Sequence, residues 1–386
     1  MQSFAGRVEG VEQADGTLEH RFADRWLAPA DGHHTGMPLN GINFAAALGE
    51  ADHWVMTETT HTDQVRRIDL HHHFAPPMSD ADAAAASAAI LSKTGWRMPD
   101  GNYPWTPEVS IAAMDRLGIE KAVLSYPLGG TVADADNRRV ARLFNETAHA
   151  AVQKYPDRFA FFANVPVPFD APAAIDELAY GIDELGAVGV VLVSSYGVGE
   201  DARYLGADAF DPLWAELDRR HAVIFVHGDQ TPGSNRWPNA FLTTPVSEVP
   251  NETYKAAADL VTTGKKRALE NARILLSHSG GSTPFLASRV AGLSRHLGTS
   301  LNEDELIEDF RTYYFETALS GFETNLLALE SFAPQDHLLF GTDFPAVSVR
   351  TAAWYTDNVA RYYESRPTRH AAVVRENALA LIPSLA

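Results

Sequence analysis

Three consecutive histidines, His71-His72-His73, follow the β-rich run Ile68-Asp69-Leu70 and stand directly before Phe74-Ala75-Pro76-Pro77, which ends any strand there. Side chains alternate across a strand, so His71 and His73 point the same way and His72 points to the other face. Neutral imidazole is the commonest metal ligand, and two on one face can grip one ion. Three later apolar runs each close on a titratable side chain: Val223-Ile224-Phe225-Val226-His227, Ile274-Leu275-Leu276-Ser277-His278 and Leu339-Phe340-Gly341-Thr342-Asp343. His71, His73 and His227 with one carboxylate suit a borderline divalent ion such as zinc, with a position left for water or substrate. Between the two remaining groups, the hard carboxylate of Asp343 is the expected fourth ligand and His278 the expected proton carrier. Gly280 and Gly281, just after it, favour close approach by a ligand. The plainer readings are a fortuitous histidine cluster and, for His278, a strand-end residue bonded to a backbone carbonyl.

Groups so far apart in sequence can meet if each tips a strand of one barrel. From residue 67 onward, short β-rich runs alternate with helical stretches, the pattern of βα units and a parallel sheet. The expected strands are Arg67 to His71, Lys121 to Ser125, Phe159 to Val165, Val188 to Ser194, Ala222 to His227, Arg273 to His278, Thr312 to Thr317 and Leu338 to Thr342. Eight such runs predict an α/β fold, a (β/α)8 barrel, whose catalytic groups sit at the strands' C-terminal ends. The intervening helical patterns include Asn137 to Tyr155, Pro172 to Leu185, Pro212 to Arg220 and Glu252 to Thr262, and the Ala-rich Ala81 to Ala89 reads as a helix in the loop after the first strand. Residues 1–55 look different, with scattered Gly, Asp and His and little periodicity, and are expected to form an N-terminal extension. A poorly ordered tail, a lid or dimerisation arm, and a stretch upstream of a true start at Met56 are the three readings; residues 56–386 make the barrel.

Composition narrows the chemistry. The chain has 386 residues, 45% of them apolar and 21% charged, enough for a sizeable core and without a bias towards disorder. Its formal charge of -19 argues against nucleic acid and anionic lipid as partners. An anionic substrate would need local positive charge from a metal or a placed arginine. With no cysteine, any metal must sit on His, Asp or Glu. Lys93, Lys121 and Lys154 are the lysines between the first and fifth strands, and none lies at a strand tip where a carbamylated lysine could bridge two metals. One ion is the expectation. The absence of a long apolar run or a basic-then-apolar N-terminus gives a cytoplasmic location by default.

The motifs together resemble the amidohydrolase superfamily in its aminocarboxymuconate-semialdehyde decarboxylase-like branch, which includes decarboxylases of ortho-hydroxybenzoates. The resemblance runs from Arg67 to the C-terminus. It rests on Ile68-Asp69-Leu70-His71-His72-His73-Phe74, Met114-Asp115-Arg116-Leu117-Gly118-Ile119, Phe225-Val226-His227, Leu276-Ser277-His278-Ser279-Gly280-Gly281, Phe315-Glu316-Thr317-Ala318-Leu319-Ser320, Gly341-Thr342-Asp343-Phe344-Pro345 and Glu376-Asn377-Ala378. It implies His71, His73, His227 and Asp343 as metal ligands and His278 as the proton shuttle. Zinc and manganese both occur in that family, and the all-histidine first pair favours zinc. It also implies that arginine holds the substrate carboxylate, which points to Arg97 and Arg289, the second reaching over from a neighbouring subunit in relatives, and hence to a homodimer. A solvated surface arginine is the plain reading of both. Gly95-Trp96-Arg97 and Trp105-Thr106-Pro107-Glu108 look most like the salicylate-type decarboxylases, notably those acting on 6-methylsalicylate.

The reaction so implied is non-oxidative decarboxylation of an ortho-hydroxy aromatic or related unsaturated acid, a small-molecule carboxylic acid, with His278 or Asp343 delivering the proton. The rival enzyme class is hydrolysis of an ester, lactone or amide by metal-activated water. A barrel that binds ligand without turnover is the third reading, and the number of strand-end chemical groups weighs against it.

Overall fold

The computed structural model describes residues 66–129, 134–197, 201–230, 239 and 241–386, so the readings for residues 1–55 lie outside the described residues. All eight expected strands form: β1 Arg67–His73, β2 Ile119–Ser125, β3 Phe159–Asn164, β4 Gly189–Val193, β5 Val223–His227, β6 Arg273–Leu276, β7 Tyr314–Glu316 and β8 Leu338–Leu339. They lie side by side in chain order, every neighbour parallel. The barrel closes where the chain after β8 runs along β1: Leu70 N donates to Phe340 O at 3.0 Å, Asp343 N to His71 O at 2.9 Å and His73 N to Phe344 O at 2.7 Å. That seam sets two expected ligand-bearing segments next to each other.

Ile68, Leu70, Val123, Phe162, Val191, Phe225, Leu275 and Leu339 fill the barrel axis, and Ala378, Ile382 and Leu385 from the C-terminal residues close its far end. Both faces of these strands are buried, which is why the strands read as apolar runs rather than alternating ones. Truncating a fully buried Phe162 or Phe225 to Ala would cost about 3–5 kcal/mol. Lys121 lies away from the barrel mouth, its Nζ donating to Leu385 O at 3.0 Å.

The surrounding helices include α1 Asp80–Thr94, α2 Pro107–Leu117, α3 Asp134–Lys154, α4 Ala171–Ala179, α5 Asp211–Arg219, α6 Thr244–Thr262, α7 Thr283–His296, α8 Glu303–Arg311, α9 Glu323–Phe332 and α10 Val349–Tyr362. Local chemistry starts and stops them: Ser79 accepts from Asp82 N to open α1, and Gly95 at φ 76° closes it. The helix expected from Glu252 in fact begins at Thr244 and runs through Pro250. Proline removes one helical hydrogen bond, but burial of Val249, Thr253, Ala256, Ala257 and Leu260 on one side outweighs that loss. Among the described residues no helix is long and apolar enough to cross a membrane.

Candidate metal centre

The register of β1 against β2 slips between Asp69 and His72. Leu70 therefore belongs to the barrel interior while His71, the very next residue, packs over Phe225 with ring centroids 4.9 Å apart. His73 also turns inward, its Nε2 lying 3.1 Å from His71 Nε2. His72 goes outward between β1 and α2, where Nδ1 meets Asp69 Oδ2 at 2.9 Å and Nε2 meets Ser110 Oγ at 2.8 Å. Both its nitrogens are engaged, on the face away from His71 and His73 that strand alternation led one to expect.

His71, His73, His227 and Asp343 offer four buried ligand atoms that all lie within 4.8 Å of one another. Asp343 Oδ1 is 3.3 Å from His71 Nε2 and 3.0 Å from His73 Nε2. Each imidazole is oriented through its other nitrogen. His73 Nδ1 faces Ser125 O at 3.1 Å, His227 Nδ1 faces Gly228 O at 2.8 Å and His71 Nδ1 faces Glu316 Oε1 at 2.7 Å. Those partners only accept, so the proton sits on Nδ1 and the Nε2 lone pair is left pointing at the common centre. Converging lone pairs and a carboxylate repel one another unless a cation lies between them, so the donor set fits a divalent metal.

The electrostatics agree. Burial disfavours the charged form of His71, yet Glu316 and Asp343 outweigh it and push its pKa up to about 10, so a proton competes with a cation for its Nε2. Burial lowers His227 well below the ordinary histidine value, and the neighbouring His71, His73 and His278 lower it further. For Asp343 burial alone would raise the pKa, but His71 and His73 hold the carboxyl well below the usual range. Two carboxylates thus make the centre attractive to positive charge in the middle of an acidic protein.

His278 stands beside the ligands, its ring centroid 4.8 Å from that of His71 and 5.4 Å from that of His227. Its Nδ1 meets Ala318 O at 3.2 Å, which leaves Nε2 for exchange. Burial and the nearby His71 lower its pKa, so its imidazolium is a ready donor. His278 and Asp343 both adopt positive φ, 52° and 64°, a backbone conformation that non-glycine residues reach at a cost of about 1–3 kcal/mol where surroundings enforce it.

Glu316 and Asp69 are the site residues that sequence reasoning missed. Glu316, fully buried at the end of β7, bonds His71 Nδ1 and also accepts from the backbone of His278 at 2.6 Å and of Ala318 at 2.5 Å. Asp69 accepts from His71 N, Thr342 N, Thr342 Oγ1 and His72, tying β1 to the segment that carries Asp343. A carboxylate within a buried β-rich run was the available signal in both cases. Gly280 and Gly281 serve packing rather than a ligand: side chains there would run into Phe315 and the Pro250 carbonyl, and neither glycine lines the cavity.

Above the centre opens a cavity of about 360 Å3. His73, His227, His278 and Asp343 lie on its wall, together with apolar and aromatic groups such as Trp96, Met98, Tyr103, Tyr126, Val249 and Val347. A small aromatic acid is of the size and polarity such a space takes. Arg97 is exposed and does not line the cavity, and neither does Arg289, which is exposed on α7.

Residues 68–383 match the amidohydrolase family. The chain is 38% identical over 330 residues to a 6-methylsalicylic acid decarboxylase of Aspergillus aculeatus, covering 83% of this chain and 96% of the relative. It is 39% identical over 286 residues to a 6-methylsalicylic acid decarboxylase of Penicillium expansum, covering 72% and 85%. Among solved structures, a dihydroxybenzoic acid decarboxylase of a Polaromonas species, with bound manganese and the inhibitor 2-nitroresorcinol, superposes with a TM-score of 0.68 at 22% identity, covering 82% of this chain and 96% of that one.

Proposed function

The chain belongs to the amidohydrolase family, and from that premise we propose that it is a metal-dependent, non-oxidative decarboxylase of an ortho-hydroxybenzoate, of the salicylate or 6-methylsalicylate type. The observation that carries this reading is a ligand set of three imidazoles and a carboxylate at the floor of a mostly apolar cavity, with a further histidine beside it.

His71, His73, His227 and Asp343 would hold the cation, which as a Lewis acid supplies charge stabilisation to the substrate's carboxylate and adjacent hydroxyl. His278 moves the proton. Its Nε2 gives a proton to the ring carbon that bears the carboxylate, which interrupts aromaticity. The bond from that carbon to the carboxylate then breaks, its electron pair restores the ring, and carbon dioxide leaves. One proton replaces one carboxylate, and His278 is reprotonated from solvent. The apolar groups of the wall exclude bulk water, which favours loss of neutral carbon dioxide from a charged carboxylate.

Three imidazole donors favour zinc over manganese as the resident ion. A homodimer is supported by α7 and the residue that caps it, where Phe285, Arg289, Leu293 and the capping Leu297 recur every four residues and stay exposed, the three apolar ones by 56%, 47% and 84%. A second copy covering this stripe would bury it and carry Arg289 into the interface. Incubating the metal-analysed protein with a panel of hydroxybenzoates tests the reaction: carbon dioxide and the matching phenol support it, whereas an acid formed with uptake of water would mean hydrolysis.

A further inference from the structure

A protein of charge -19 that takes in an aromatic acid must overcome its own field at the entrance to the site. Two of the side chains on the cavity wall, Asp229 and Asp343, are carboxylates and add to the repulsion. Among the described residues, Lys93 is the cavity's one lysine or arginine. It sits in the last turn of α1, and Ile90 and Thr94 line the cavity with it. Positions 90, 93 and 94 share one face of a helix, so Lys93 belongs to the stripe turned towards the cavity rather than to the solvent face opposite.

The base of this lysine is held in place. Thr94 Oγ1 donates to Ile90 O at 2.8 Å, and the Trp96 indole donates to Ala346 O at 2.9 Å. Asn102 is buried and gives both amide hydrogens to the carbonyls of Pro345 and Val347, at 2.8 and 3.0 Å. The end of α1 is therefore fastened to the very loop that follows Asp343. Lys93 is exposed and, among the described residues, forms no ion pair.

We infer that Lys93 is a specificity-determining residue, the cation that receives the carboxylate of the incoming aromatic acid. This rests on the decarboxylase reading for its substrate class. Lys93 is exposed and belongs to neither the metal-ligand set nor the proton carrier, so it acts on the approaching acid and not on the reacting atoms. The contribution therefore belongs to capture, and it appears in KM and in the affinity for the acid more than in kcat.

Titrating wild-type and variant holoenzymes with salicylate and with phenol, its neutral counterpart, separates these effects. Lys93→Gln should weaken salicylate binding and raise KM by about three- to fivefold, the range of a partly exposed charge pair, with phenol binding unchanged and Lys93→Arg close to wild type. Lys154→Gln changes net charge by the same amount at a surface ion pair with Glu108, outside the cavity, and should leave salicylate binding as it was. Unchanged salicylate affinity in Lys93→Gln, or an equal loss in Lys154→Gln, overturns the proposal. A wild type that binds the acids without releasing carbon dioxide overturns the decarboxylase reading instead, and the affinity comparison still decides the role of Lys93.

Discussion

Glu316 Oε1 lies 2.7 Å from Nδ1 of His71, a contact between residues 245 positions apart that fixes which nitrogen of the histidine faces the metal centre. The same oxygen accepts from the backbone of His278, so one carboxylate orients a ligand and the neighbouring proton carrier together. Replacing it by an amide should loosen the ion without dismantling the barrel. For Glu316→Gln we expect metal affinity to fall about 10- to 100-fold, as for other groups that orient ligating histidines, when measured by chelator competition. Affinity equal to wild type would mean that the carboxylate serves stability alone.

Gly341 sits against the same pair. A Cβ there would come 2.8 Å from His71 Cβ and collide with Glu316 Oε2. Gly341→Ala must therefore displace a ligand or its partner, and bound metal measured by elemental analysis should drop well below the wild-type content. Full metal content with normal turnover would show that the floor of the site can yield, contrary to the packing argument.

His72 provides the opposite case. Its two nitrogens are bonded to Asp69 and Ser110, and the side chain is fully buried. His72→Leu should lower stability by about 1–3 kcal/mol, because the Asp69 carboxylate loses a buried partner, while metal content stays at the wild-type level. Loss of metal with unchanged stability would return His72 to the ligand set.

Much of this site is legible in the sequence, and the exceptions have a common cause. The convergence of His71, His73, His227 and Asp343 was legible because each stands at the end of a β-rich run, and a barrel brings strand ends together whatever their separation in the chain. Asp69 was missed because it stands inside the first strand and not at its tip, and strict alternation would set its side chain with His71 and His73. The register slip turns it instead towards His72 and Thr342, and no residue type announces that slip. Glu316 was missed because the seventh strand was read through to Thr317, which left the carboxylate one residue short of its tip, whereas β7 ends at Glu316. Lys93 lies in an Ala-rich helix whose inward face only the cavity defines. Sequence periodicity reports what an element buries, whereas second partners and cavity walls depend on how distant elements meet.

Away from the site, His370 links stability to pH. Burial, aided by Arg67, lowers its pKa to about 4, and its Nε2 is buried without a hydrogen-bond partner. In the unfolded chain an ordinary histidine takes its proton near 6.5, so on acidification the unfolded state binds the proton first. The contribution of this residue is thus intact above about pH 6.5 and is lost as pH falls towards 4. His370→Phe keeps the stack on Tyr363 and cannot titrate, so its Tm should fall less than that of wild type between neutral pH and about pH 5. An identical fall in both proteins would place the acid sensitivity elsewhere.

The most direct test of the account is carbon dioxide release from an ortho-hydroxybenzoate as a function of metal restored to the stripped enzyme. Activity should vanish with the metal, return in proportion to added zinc or manganese, and saturate at a single equivalent per chain, with His227→Ala unable to recover it. Decarboxylation that persists without metal, or that needs a second equivalent, would contradict a one-metal centre built on His71, His73, His227 and Asp343.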